Sequence, residues 1–186
     1  MHPHLTHHGH RFDQIERLRD PERVTRLEVA RVVDLALAGR TAHNVLDVGI
    51  GSALFSEAFA RRGLRVSGVD ANPRMLQAAR QYLPHSSLAQ AVAEALPFPD
   101  DRFDLVFMGL VLHETDNLLA AMQEASRIAR QRLAVLEWPY RDTGFGPGLE
   151  ERLSPETMIA LSQQAGLGAI TAIPLENLVL YRMEAD

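Results

Sequence analysis

Two acids and two glycines hold the spacing that most suggests chemistry. Asp47, Gly49 and Gly51 lie in the run VLDVGIGSALFSEAFARRG, residues 45–63. That run reads as an apolar strand, a glycine turn and a helix, the layout of a nucleotide-type site on an α/β sheet. Gly49 and Gly51 permit a tight turn and a close approach of backbone to ligand. The helix start beyond them offers free N–H groups and partial positive charge. A second acid, Asp70, closes the next strand-like run, VSGVD.

The acids decide between two ligand classes. A dinucleotide site places a pyrophosphate at the helix start, and its G-x-G-x-x-G pattern needs glycine at position 54, where this chain has Leu54. Asp47 would also set a carboxylate near that pyrophosphate. S-adenosylmethionine has no phosphate and carries an ammonium, a carboxylate and a sulfonium, so an acid beside the turn helps. Asp70 can accept both ribose hydroxyls. The spacing therefore points to S-adenosylmethionine as cofactor and disfavours a nicotinamide dehydrogenase. The bland alternative is that the glycines only turn the chain from strand to helix. A D-x-G-x-G after a strand, followed about twenty residues later by an acid ending a second strand, outweighs it.

Further candidates must sit at the same edge of the sheet, where ligands bind. His113 and Glu114 follow the fourth strand-like run, and either could serve as a base or orient an acceptor. The competing reading makes His113 a packed histidine bonded to a loop and Glu114 a helix cap. Glu137 ends the fifth run and is, separately from His113, a second catalytic candidate. Trp138 and Tyr140 just after it either line an acceptor pocket or cover the core. Arg141 and Arg152 could bind an anionic acceptor, although a surface salt bridge is the commoner fate. The tract HPHLTHHGH, residues 2–10, holds most of the histidines. It lacks cysteine and a local acid, so no metal site is expected there.

These residues need elements to hold them. Residues 11–40 show helical periodicity, with Asp20-Pro21 as a helix start and Gly39 as a stop. Strands and helices then alternate. Strands are expected over Asn44–Val48, Arg65–Val69, Ser87–Ala91, Asp104–Gly109 and Arg132–Glu137. Helices are expected over Ser52–Arg62, Pro73–Gln81 and Leu118–Arg130, and from Ser154-Pro155 to near Gly166. Two short strands, Ala169–Ile173 and Leu178–Arg182, close the sheet as a hairpin-like pair. This pattern predicts an α/β fold: a doubly wound, Rossmann-like, seven-stranded, mostly parallel sheet with helices on both faces and an N-terminal helical cap. Residues 1–40 form the His-rich segment and cap, and 41–186 the ligand-binding part, one domain overall.

Composition bounds the rest. The 186 residues are 46% hydrophobic and 23% charged, enough for one core. A net charge of −5 invites no nucleic acid. Every basic residue is arginine and there is no cysteine, which excludes disulfides, thiolate metal sites and cysteine nucleophiles. Arsenite methylation, which needs thiolates, is disfavoured for the same reason. No apolar run approaches the ~18 residues of a membrane span, and no signal peptide is read. A cytoplasmic protein, monomer or homodimer, is the expectation.

The chain resembles the class I S-adenosylmethionine-dependent methyltransferases, in the ubiquinone/menaquinone C-methyltransferase-like (type 11) branch. The likeness runs from about Asn44 to the C-terminus through VLDVGIGSALFS, VSGVDANPRML, AEALPFPDDRFDLVF and FMGLVLHE. It implies cofactor binding by Asp47, Gly49, Gly51, Asp70 and Ala71, by backbone near Ala93 and Glu94 facing adenine, and by Met108 and Gly109 beside the methionine part. HGHRFD, LHE and EWPYRDTGFGPGLEERLS are similar to a bacterial subgroup of that branch. They imply that HGHRFD folds over the cleft and contributes His7, His8, His10, Arg11 or Phe12 to its roof, with Trp138 and Tyr140 as further substrate-side candidates. Three positions depart from the pattern. A frequent third glycine is Ala53, the acid that commonly meets the adenine amino group is Val92 with Glu94 as a substitute, and the Gly-Gly turn before the fifth strand is missing. The implied activity is methyl transfer to a small-molecule acceptor. The alternative is a non-catalytic S-adenosylmethionine-binding or assembly protein of the same fold.

Overall fold

The structure, a computed structural model, describes residues 15–185. His10, Arg11 and Phe12, with the rest of the histidine tract, lie outside the described residues. Among those described, no helix is long and apolar enough to cross a membrane.

Seven strands form one sheet in the order β3-β2-β1-β4-β5-β7-β6. They are β1 (Asn44–Val48), β2 (Arg65–Asp70), β3 (Ser87–Gln90), β4 (Phe103–Gly109), β5 (Ala129–Glu137), β6 (Ile170–Pro174) and β7 (Val179–Glu184). The first five are parallel, and β7 runs antiparallel to both β5 and β6. The expected mostly parallel sheet and its closing pair are both present.

Burial on both faces explains why the central strands read as mostly apolar without alternation, interrupted by Asn44 and Asp47 in β1 and by Asp104 in β4. All of β1 is buried, and so is β4 up to Met108. Side chains alternate between two cores. Val45, Leu105, Phe107 and Leu136 face one, under α3 (Val29–Leu37), α4 (Leu54–Arg61) and α5 (Pro73–Tyr82). Leu46, Val106, Met108 and Leu133 face the other, under α6 (Leu118–Ile128) and α7 (Pro155–Gln164). Phe107 anchors the first, its ring 5.0 Å from Phe55 and 5.3 Å from Phe59.

Two local expectations need correction. Residues 15–37 form three helices: α1 (Ile15–Leu18), α2 (Pro21–Arg26), which starts at the expected Asp20-Pro21 but does not run on to Gly39, and α3. Asp20 Oδ1 caps α2 by accepting from Glu22 N at 2.9 Å, and Glu28 breaks the path to α3 with φ 47°. The fifth strand starts at Ala129, three residues before the expected Arg132. With no glycine turn there, α6 passes straight into β5, and a register irregularity against Phe103–Leu105 absorbs the join.

The chain leaves β1 toward β2 and β3 on one side, then returns to place β4 and β5 on the other. The carboxyl ends of β1 and β4 therefore flank the crevice in which such sheets bind ligands.

Candidate functional site

The glycine turn hangs from the end of β2. Gly49 N and Ile50 N both donate to Val69 O at 2.9 Å. Gly51 N donates to Asp70 Oδ2, also at 2.9 Å. Gly49 and Gly51 have φ of 70° and 52°, the left-handed region that favours glycine. A Cβ at Gly49 would stand 2.3 Å from Val111 Cγ2, so the close approach also forbids a side chain. Ala53, where the resemblance has glycine, adopts φ 63° at the start of α4.

Asp70 is held at both oxygens, Oδ1 accepting from Asn72 N at 2.9 Å and Oδ2 from Gly51 N. Partial burial raises its pKa against these bonds. Asp47 sits differently. It is 3% exposed and accepts from Ser56 Oγ at 2.7 Å. Burial pushes its carboxyl up to about 7, the Ser56 bond pulls the other way, and the Asp70 charge adds to the rise.

The remaining cofactor candidates flank this pair unevenly. Ala71 is exposed beside Asp70, its carbonyl accepting from Gln90 Nε2 at 3.0 Å. Val92 is 49% exposed. Ala93 packs partly buried on the second core. Glu94 spends Oε1 on Asn117 N, 3.2 Å away, at the start of α6. Met108 is fully buried in that core, so only its backbone reaches the sheet edge. Gly109 is approached by Phe107, whose Cε1 would stand 2.7 Å from a Cβ.

Across the crevice, His113 and Glu137 meet. His113 lies in a 3-10 turn, Leu112–Glu114, after β4, and Glu137 is the last residue of β5. His113 Nδ1 is 2.7 Å from Glu137 Oε2, and His113 N donates to Oε1 at 3.2 Å. The side chains are 7% and 1% exposed. Burial opposes charge on the imidazole, but the Glu137 bond and the charges of Glu137, Glu114 and Glu151 outweigh it and raise the His113 pKa. Glu114 Oε1 is 3.8 Å from Nε2.

Arg152 departs from both sequence expectations. It is neither a surface ion-pair partner nor turned toward an acceptor. It is 6% exposed and knits the loop after β5 together. Its nitrogens donate to Pro147 O (3.0 Å), Pro139 O (3.0 Å), Thr143 Oγ1 (3.0 Å), Phe145 O (2.7 Å) and Arg141 O. The loop so held carries Trp138, partly buried on the first core, and Phe145, edge-on to it at 5.9 Å. Arg26 of α2 lies over the Phe145 ring at 4.7 Å. Tyr140 is 52% exposed, and the Arg141 side chain faces solvent.

Comparison with known proteins follows this geometry closely. Residues 46–133, from within β1 to within β5, match the family model described as a methyltransferase domain. Just under half of the chain is thus similar to methyltransferase domains. Among curated relatives, it is 32% identical over 108 residues to an uncharacterized methyltransferase, YcgJ, of Bacillus subtilis, covering 53% of this chain and 43% of that one. It is 35% identical over 109 residues to the demethylmenaquinone methyltransferase of Tropheryma whipplei, covering 56% and 46%. The matched part thus spans about half the length of these relatives. In fold, a SAM-dependent methyltransferase structure from Aquifex aeolicus superposes with a TM-score of 0.82 at 21% identity, over 92% of this chain and 97% of that one. A possible histamine N-methyltransferase from Thermotoga maritima gives 0.72 at 19% identity, over 92% and 94%.

The methyltransferase domain implies S-adenosylmethionine as its cofactor. The residues present fit it. Asp70 offers a fixed, half-buried carboxylate, with lone pairs beyond the two used, to hydroxyl donors. The Gly49–Gly51 turn beside it presents backbone rather than side chain. Two contributors to the domain escaped the sequence reading. Ser56 had only its place in the helix after the turn to mark it, and Arg19, described below, only its place in the cap.

Proposed function

We propose that the protein is an S-adenosylmethionine-dependent methyltransferase acting on a small-molecule acceptor. The observation that carries the cofactor half is Asp70, fixed by Gly51 N and Asn72 N at the end of β2 beside the glycine turn. Bound there, the cofactor supplies an electrophilic methyl group on a sulfonium. Asp70 accepts the ribose hydroxyls, and the turn from Gly49 to Gly51 lets the backbone come close. Ala71, Ala93, Glu94 and Gly109 border the same edge.

His113 is the candidate base for an acceptor that must lose a proton. Glu137 fixes its ring and holds the proton on Nδ1, which leaves the Nε2 lone pair for the acceptor. Trp138 and the loop tied by Arg152 follow Glu137 directly and are the candidate wall on the acceptor side. Where the acceptor has no proton to lose, alignment alone supplies the rate, and His113 orients rather than deprotonates. A net charge of −5 supports a small acceptor over a polyanion.

The test is turnover of methyl-labelled S-adenosylmethionine with a fractionated small-molecule extract. Label passing to a small product supports the reading. Binding of S-adenosylhomocysteine without any transfer supports the non-catalytic alternative instead.

A further inference from the structure

We propose that Arg19 is a positioning residue for the cofactor site, clasping the N-terminal cap onto the two helices that follow β1 and β2. This inference rests on the cofactor reading above. Arg19 Nε donates to Ser52 O, in the glycine turn, at 3.3 Å. Nη2 pairs with Glu57 in the first turn of α4. The guanidinium plane also lies over the ring of Tyr82, 3.4 Å from its centroid, at the end of α5. One side chain thus joins the cap to the helix carrying the glycine turn and to the helix after Asp70.

The neighbouring residue shows what the clasp positions. Leu18, buried in α1, has its Cδ1 3.6 Å from where a Cβ of Gly51 would stand. Gly51 N is the donor that fixes Asp70. The cap therefore lies on the same backbone unit that orients the ribose-binding acid. Arg19 and Glu57 are 21% and 19% exposed, so their attraction is less screened than that of a surface pair. Loosening this contact loosens the Gly51 backbone that fixes Asp70, so Arg19 acts on how long the ligand is held. Arginine suits the role better than lysine, because a planar fork can donate in two directions while stacking on an aromatic face.

The experiment measures S-adenosylhomocysteine affinity and dissociation rate on the full chain. R19A is expected to raise Kd and the dissociation rate together by about tenfold, a change of roughly 1.4 kcal/mol. R19K keeps the charge but not the fork and recovers part of the loss. Arg40→Ala breaks a comparable partly exposed pair with Glu184, remote from the turn, and stays at the wild-type value. If R19A does not fold, Tyr82→Leu removes only the aromatic face and is expected to quicken dissociation by a few-fold. Wild-type binding with an unchanged R19A, or R40A matching R19A, overturns the clasp alone. A wild-type protein that does not bind S-adenosylhomocysteine overturns the cofactor reading and the clasp with it.

Discussion

His113 Nδ1 and Glu137 Oε2 stand 2.7 Å apart at the carboxyl ends of two neighbouring parallel strands. The β4–β5 register makes this meeting inevitable. Gly109 pairs with Leu136, and Leu110 N donates to Leu136 O at 2.9 Å. The turn after β4 then brings His113 back over the end of β5.

The pair sets a pH dependence. Burial is overcome by Glu137 and its neighbours, so the folded pKa of His113 lies above its ordinary 6.5. The stabilisation from a charged His113 is complete below about pH 6.5 and is lost as pH rises through the folded value. Turnover that needs a neutral base runs the other way and rises through the same value. Glu137→Gln is expected to shift the activity midpoint to lower pH, and His113→Ala to lower kcat by about 100-fold. Rate profiles of both variants, with proton NMR of the His113 ring in the wild type and Glu137→Gln, check this.

Asp47 titrates in the same sense for stability. Its folded pKa of about 7 exceeds the ordinary 3.8. The fold therefore loses stability as pH climbs between these values, by about 1.4 kcal/mol per unit and on the order of 4 kcal/mol in all. Asp47→Asn removes this slope. Melting temperatures from pH 5 to 8 should fall steeply in the wild type and less in the variant. Parallel curves would show that Asp47 is ionised throughout.

Gly49 is expected to tolerate no side chain. Gly49→Ala meets both the positive φ, at roughly 1–2 kcal/mol, and the overlap with Val111. Gly39→Ala has a similar φ of 78° and open space around it, so it bears only the conformational cost. Denaturant melts should separate the two variants, with Gly49→Ala the less stable. S-adenosylhomocysteine binding should be lost only in Gly49→Ala.

The sheet and the cofactor edge were legible because their signals are local. Mostly apolar runs in β1 and β4, a glycine-rich turn, and an acid ending β2 each show in a few consecutive residues. The break in the N-terminal helix was not, because Glu28 carries no glycine or proline signal for its left-handed backbone. His113 and Glu137 were each visible as candidates, but their contact is a product of strand register. Ser56 and Arg152 were obscured for a related reason. Serine within an amphipathic helix and arginine after a loop have many ordinary uses, and only tertiary contact selects one.

Arg152 gives a stability prediction that sequence could not. Its five donations to loop oxygens within a buried setting are expected to make Arg152→Met destabilising by roughly 3 kcal/mol. Lysine should not rescue it, since one ammonium cannot reach the spread of carbonyls from Pro139 to Pro147. Urea denaturation of both variants, with proteolysis mapped to residues 139–148, checks the claim.

The central claim is that Asp70 and the glycine turn bind S-adenosylmethionine. Calorimetric titration of S-adenosylhomocysteine into the wild type and Asp70→Ala tests it most directly, with NADH as the competing ligand. The expected result is one site in the wild type, an affinity at least about tenfold weaker in Asp70→Ala, as for loss of hydrogen bonds to a charged group, and no heat from NADH. Binding of NADH in place of S-adenosylhomocysteine, or equal affinities in the two proteins, would contradict it.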